Sequence, residues 1–416
     1  MTSKARNLFL AFFCLLTFAA LGFLFYSNWV VQRPFAIILF VSSNLTPNHL
    51  AVARAWQSNT GNTLHFDQLP VRGFLRNASK DSLMPDSAAA ASAIATGQKT
   101  VNGVASFSPS GKKLTTLLDA AAARGRATGI ISNREIFNPV LAAFAAPVAD
   151  AKDRETIGSE MLEGTKPDLL LGGGRRNWTS SLQGGTRKDN NDLLLQAKRA
   201  GYEIIRTRKE LLRTPTWRSP RLVGLFAEGD MAYVEEFEAA ATQPNLSDMV
   251  KQAIQLLQFN GNGYFLVVEA GLVEKAATEN EAGALIRELI ALNQAVADAS
   301  RFAGDDALIV VAGTNVVGGF NLSGETLPQN QGMGLLAPLS NDKPSVTWAT
   351  GASSDAGENS VKNPRRGTPR QAIAVETQET LPVASDVLFF AEGPGSEQLE
   401  SARENTNIFQ ILANQF

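Results

Sequence analysis

Residues 86–104 read Asp86-Ser87-Ala88-Ala89-Ala90-Ala91-Ser92-Ala93-Ile94-Ala95-Thr96-Gly97-Gln98-Lys99-Thr100-Val101-Asn102-Gly103-Val104. The alanines predict a helix that stops at Gly97, with Asp86 and Ser87 at its start. A helix amino terminus offers unbonded N–H groups and a partial positive charge, which suit an anion. A serine there can attack phosphorus while the N–H groups hold the phosphoryl oxygens. Asp and Ser are also the ordinary capping residues, so the opening dipeptide alone reads equally as a cap on a packing helix.

Around this segment lie short apolar runs: Phe35–Val41, Gly129–Ser132, Asp168–Leu171, Leu222–Phe226, Tyr264–Val268, Ala307–Val311 and Val387–Ala391. Runs apolar on both faces suit a parallel sheet covered by helices. Helical patterns alternate with them. Thr115–Arg124 is Ala/Leu-rich, Ser247 can cap a helix carrying Val250, Ala253, Ile254 and Leu257 on one face, and residues 279–300 align Leu285, Leu289, Leu292 and Val296. The alternation predicts one doubly wound α/β domain, with helices on both faces and functional residues at the carboxyl ends of the strands. Residues 321–380, rich in Gly, Pro, Ser, Asn and Thr, read as an elaborated surface insertion compatible with short strands; Arg365 and Arg366 read as a charged loop face.

The 416 residues are 44% apolar and 19% charged with a net charge of −2, enough to bury a full core. With no basic surplus to neutralise phosphates, nucleic-acid binding is excluded as an expectation. The single cysteine, Cys14, excludes an intrachain disulfide. The only histidines are His49 and His65, which leaves almost no imidazole for a metal cluster. Both read as surface or core-edge residues. Ser110-Gly111-Lys112-Lys113 lacks the first glycine of a P-loop, and Gly172-Gly173-Gly174 lacks dinucleotide spacing.

At the amino terminus, Lys4 and Arg6 precede an uncharged apolar run from Leu8 to Tyr26, with Trp29 fitting the far interface. That length spans a bilayer as one helix. The positive-inside bias places residues 1–7 in the cytoplasm, a signal anchor at 8–28 and the domain from 33 to 416 across the membrane, periplasmic or extracellular. A cleaved signal peptide is the alternative, although Phe25–Trp29 offers a poor cleavage site.

The long string at 86–104 resembles the nucleophile segment of the alkaline phosphatase family. The resemblance extends in order through Leu170–Gly174, Leu222–Ala227, Val268–Gly271, Gly318–Phe320, Phe390–Gly395 and Asn405–Phe409. It implies that family's fold, a homodimer, and a phosphomonoesterase with Ser87 as nucleophile beside Asp86, assisted by paired zinc and a magnesium ion. The ligand positions implied by the same resemblance are mostly altered. Ser43 stands at the bridging aspartate, Asn138 and Val140 at the magnesium segment, and Ala151 at the phosphate-clamping arginine. Glu269 is kept, Glu274 and Thr278 replace a zinc aspartate and histidine, Thr314 and Asn315 replace an Asp-His pair, and the last zinc histidine falls near Pro382. Zinc is therefore not expected as a cofactor. An oxygen-ligated Mg²⁺ or Ca²⁺ on Glu269, Glu274, Asp86, Asn315 and Ser43 is the alternative. The two glutamates could equally be solvated or paired with Lys275 or Lys152. The expected protein is a membrane-anchored, degenerate family member with a binding or structural role; the alternative is a hydrolase using Ser87 with Mg²⁺ or Ca²⁺.

Overall fold

The structure, a computed structural model, describes residues 3–25, 35–57, 63–217, 221–237, 239–324, 335–352 and 371–416. The strands are β1 (Ala36–Ser42), β2 (Val71–Leu75), β3 (Ala127–Glu135), β4 (Leu169–Gly173), β5 (Tyr202–Ile205), β6 (Arg221–Leu225), β7 (Tyr264–Glu269), β8 (Ala307–Gly313), β9 (Phe320–Leu322), β10 (Val346–Gly351), β11 (Ala372–Glu376) and β12 (Val387–Glu392). Nine form one sheet in the order β2-β12-β8-β1-β7-β3-β4-β6-β5. Every apolar run named above is one of its strands.

Central β1 shows why those runs are apolar throughout. Ile38 and Phe40 enter the core on one side of the sheet, Ile37, Leu39 and Val41 the core on the other. Period-two alternation therefore leaves no face for polar residues.

Two features depart from expectation. The sheet is mixed, because β12 pairs antiparallel with both β8 and β2. The chain enters β12 from the carboxyl edge, where Val317 bridges Pro382, so it must run back down the sheet. The edge strands β2 and β5 carry no apolar run: in β2 only Val71 and Leu75 are buried. Short, partly charged edge strands give little sequence signal.

Ser247 is not the cap of the helix Leu246–Leu257 but lies inside it: Asn245, two residues earlier, is the cap, its side chain accepting from the Asp248 N–H at 2.8 Å in a capping box. The Asp248 carboxylate in turn accepts from the Asn245 N–H at 3.3 Å, whereas the residue three after Ser247 is Val250, which cannot accept. The apolar face Val250, Ala253, Ile254 and Leu257 is buried as expected. Of residues 279–300, 282–300 belong to the longer helix Ala282–Ala303, while 279–281 link it to a separate helix Gly271–Thr278. Asn280, at φ 55°, breaks the two apart, a conformation asparagine tolerates.

Within 321–380, β9, β10 and β11 form a small second sheet in the order β11-β10-β9. Buried Trp348 donates to Gln371 Oε1 at 2.7 Å, and Thr380 Oγ1 donates to Thr278 O at 2.7 Å, which ties this sheet to the domain. Arg365 and Arg366 lie outside the described residues. Ser3–Phe25 is one unbroken helix, long and apolar enough to cross a membrane, with every described side chain to Phe23 exposed. Tyr26 and Trp29 lie outside the described residues.

Candidate functional site

The helix Ser87–Thr96 forms as its sequence requires. Asp86 caps it by accepting from Ala89 N–H at 2.8 Å, and its other oxygen accepts from Gly103 N–H at 2.5 Å. Asn102 Oδ1 in turn accepts from Asp86 N–H at 3.1 Å. The Asn102-Gly103 end of the string thus folds back onto the cap. Gly97 ends the helix at φ 69°, and a Cβ there would lie 2.9 Å from the Phe409 ring. From Ala88 to Thr96 every residue is buried. Burial raises the Asp86 carboxyl, against the pull of the Ala89 and Gly103 N–H groups. Ser87 is partly exposed at the first helical position. Among the described residues no imidazole or carboxylate bonds its hydroxyl.

Parallel register gathers the other positions. Val41 and Ser132 each pair with Glu269, and Ser42 pairs with Gly313, so β1, β3, β7 and β8 end side by side. Glu269 is 2% exposed at the end of β7. Its Oε2 accepts from Asn138 Nδ2 at 2.6 Å, and burial, partly offset by Arg134, pushes its carboxyl up to about 7. Asn138 also caps the helix Pro139–Ala145, accepting from Leu141 N–H at 3.0 Å. Val140 is buried in that helix and has no donor atom.

Glu274 does not pair with Lys275 or Lys152. Its Oε2 accepts from Arg134 Nη1 at 3.1 Å, and its Oε1 from Asn315 Nδ2 at 3.3 Å. Lys275 pairs instead with Asp230 at 3.2 Å, and Asp230 also faces Arg134 Nε at 3.5 Å. Burial opposes the charge on Arg134, yet Glu274, Asp230 and Glu269 hold the guanidinium above its ordinary value. Burial likewise opposes Asp230, but Arg134 and the Glu135 N–H keep its carboxyl below the usual range.

Thr314 Oγ1 donates to Asn315 Oδ1 at 3.0 Å, and both residues are buried. Ser43 is buried with its hydroxyl unpartnered. Thr278 is not brought into the group: it is exposed, and its hydroxyl returns to Glu274 O of its own helix at 2.8 Å. Ala151 is buried, while Lys152 and Arg154 are exposed and Arg154 pairs with Glu135 at 3.0 Å.

His49 corrects the expectation of a surface or edge residue. It is 2% exposed, with Nδ1 2.6 Å from Thr46 Oγ1 and Nε2 3.3 Å from Asn44 Nδ2. Burial lowers its pKa to about 3. Asn44, at φ 55°, also bonds Val317 O at 2.8 Å, joining the loop after β1 to the loop after β8. His65 is far from these residues in sequence and contacts Ser300 at 3.0 Å.

Arg134 and Asp230 are the participants that the sequence did not disclose. Neither lies in a motif, and 140 residues separate Arg134 from Glu274. No local spacing signals the pairing.

A profile described as alkaline phosphatase matches residues 36–416. Alkaline phosphatase 4 of Bacillus subtilis is 32% identical over 249 residues, 58% of this chain and 51% of that protein. The Schizosaccharomyces pombe alkaline phosphatase is 30% identical over 286 residues, 65% and 53% of the two chains. The chain thus spans about half the length of these relatives. The tissue-nonspecific isozyme of Rattus norvegicus is 26% identical over 436 residues, covering 91% of this chain and 82% of that one. In structure, the Thermus thermophilus alkaline phosphatase superposes with a TM-score of 0.74 at 23% identity over 92% of each chain. The enzyme of the Antarctic bacterium TAB5 gives 0.69 at 22% identity over 92% of this chain and 98% of that one. With its profile match running from the first strand to the last residue, this chain belongs to the alkaline phosphatase family.

Proposed function

We propose that this chain is a membrane-anchored family member that has lost two-zinc hydrolysis and serves a binding or structural role. Residues 8–28 anchor it, residues 1–7 face the cytoplasm, and residues 33–416 lie on the opposite side as the phosphatase-like domain. One observation carries the reading. The two carboxylates left at ligand positions, Glu269 and Glu274, spend oxygens on Asn138, Arg134 and Asn315 of the same chain. Paired zinc wants thiolate, imidazole or free carboxylate donors. Ser43, Asn138, Val140, Thr314 and Asn315 offer neutral oxygens or none, and a buried guanidinium sits between Glu274 and Asp230. The zinc pair does not fit this donor set. Without a metal or a histidine base, the Ser87 hydroxyl keeps its proton at neutral pH.

The test is the metal content and phosphomonoesterase turnover of the purified full-length protein, with Ser87→Ala as control. The expected outcome is substoichiometric zinc and turnover no higher than the control. Stoichiometric zinc with turnover abolished by Ser87→Ala overturns the reading. The second reading, a phosphomonoester hydrolase using Ser87 with an oxygen-ligated Mg²⁺ or Ca²⁺, draws on the partial exposure of Ser87 and the unpartnered Ser43 hydroxyl. It requires divalent-dependent hydrolysis that both Ser87→Ala and Glu269→Ala remove.

A further inference from the structure

Arg134 lies near the irregular end of β3, where the register to β4 shifts between Ile131 and Glu135. Its N–H donates to Ser132 Oγ at 2.8 Å, which directs the residue across the carboxyl edge of the sheet. The path needs a small residue at the start of the helix that follows β7. A Cβ at Gly271 would lie 2.7 Å from Arg134 Cδ and 2.8 Å from Glu269 Oε1. The guanidinium reaches Glu274 at 3.1 Å and Asp230 at 3.5 Å. Lys275 adds the only other cation paired with Asp230 among the described residues, at 3.2 Å. Two cations therefore face two paired carboxylates, with Glu269 buried behind them and bonded to Asn138.

We propose that Arg134 is a built-in cation: its guanidinium neutralises the carboxylates at the old metal position, so the folded domain depends on this side chain for the charge that a divalent ion would otherwise supply. This inference rests on the reading that zinc no longer occupies the site. It adds that one named residue supplies the positive charge these carboxylates face. A guanidinium suits the task because it stays charged when buried and can bridge separate carboxylates through a rigid fork. Removing one partner of such a buried group leaves the other charges uncompensated.

The experiment is thermal unfolding of the full-length protein in detergent micelles, with EDTA, MgCl₂, CaCl₂ or methylguanidinium chloride at low millimolar concentration. The wild type is expected to keep one Tm in all of them. Arg134→Ala is expected to lose several degrees and to regain part of that loss with Ca²⁺, Mg²⁺ or methylguanidinium, because a ligand that binds only the folded state stabilises it by mass action. Arg134→Lys is expected to fall between the two. Should Arg134→Ala not fold, Arg134→Ala/Glu274→Gln keeps the test alive: removing one charge of each sign must give a higher Tm or yield than Arg134→Ala alone. A wild type that loses Tm in EDTA sinks the zinc-free reading and this inference with it. A wild type indifferent to EDTA, with an Arg134→Ala variant no more cation-responsive than the parent, sinks this inference alone. So does a double variant no better than the single.

Discussion

The Asp86–Val104 segment and the carboxyl ends of β1, β3, β7 and β8 resemble the family to different degrees, and their contacts differ in kind. In the first, Asp86 caps a helix, Asn102 and Gly103 close on that cap, Gly97 turns under Phe409, and the alanines are buried. Each residue type is required by folding whether or not chemistry occurs. In the second, the positions that the resemblance marks as ligands carry groups that bond one another or a neighbouring arginine: Asn138 to Glu269, Asn315 to Glu274, Arg134 to Glu274. The local fold alone is thus reason enough for the residue types of the first, whether or not hydrolysis accompanies them.

The comparison breaks first at His49, where the largest effect is expected. This ring stands in the first turn of the helix Pro47–Gln57 that follows β1, buried against Thr46 and Asn44. Its pKa falls from 6.5 to about 3 on folding. Below pH 6.5 the unfolded chain takes up a proton that the folded chain refuses, so this contribution is complete above pH 6.5 and is lost as pH falls toward 3. The slope is about 1.4 kcal/mol per pH unit, or roughly 5 kcal/mol across the window. Chemical denaturation of the wild type and His49→Gln between pH 7 and pH 4 measures it. The wild type's advantage over the variant should shrink as the pH drops; a constant difference would show that the ring is hydrated or already protonated.

Next comes the retained helix. Ala91 is fully buried, in a helix that packs on Pro139–Ala145. Ala91→Leu forces extra carbons into a tightly filled contact and should cost about 1–3 kcal/mol. A urea titration that moves the midpoint without changing the slope would confirm a folding role for this stretch. An unchanged midpoint would mean that the alanines are spacers of no structural consequence, and the contrast with the strand ends would lose its basis.

The same contrast explains what could be read from the residues alone. The central strands were legible because both faces are buried, so a continuous apolar run is required. The edges β2 and β5 were not, since each needs only alternate side chains inside. The antiparallel course of β12 depends on where the chain leaves the small second sheet, which no residue in Val387–Glu392 encodes. At the site, the positions of Glu269, Asn138 and Asn315 followed from the resemblance, and the structure gathers them. Arg134 was invisible because its role is defined by Asp230 and Glu274, which the fold brings from 96 and 140 residues away. The burial of His49 was missed for a related reason: Pro47–Gln57 buries it through the long-range Asn44–Val317 contacts.

The smallest effect separates the two residues that open the string. Asp86 bonds two backbone N–H groups, so Asp86→Ala should destabilise by about 1–2 kcal/mol. Ser87 is partly exposed at the first helical turn, so Ser87→Ala should change stability by no more than about 0.5 kcal/mol. Alanine is a good helix former, and the hydroxyl has no carboxylate or imidazole to lose among the described residues. Thermal unfolding of both variants side by side gives the ranking. A Ser87→Ala loss as large as that of Asp86→Ala would place a bonded group on the hydroxyl, and with it a reason for serine that folding alone does not supply.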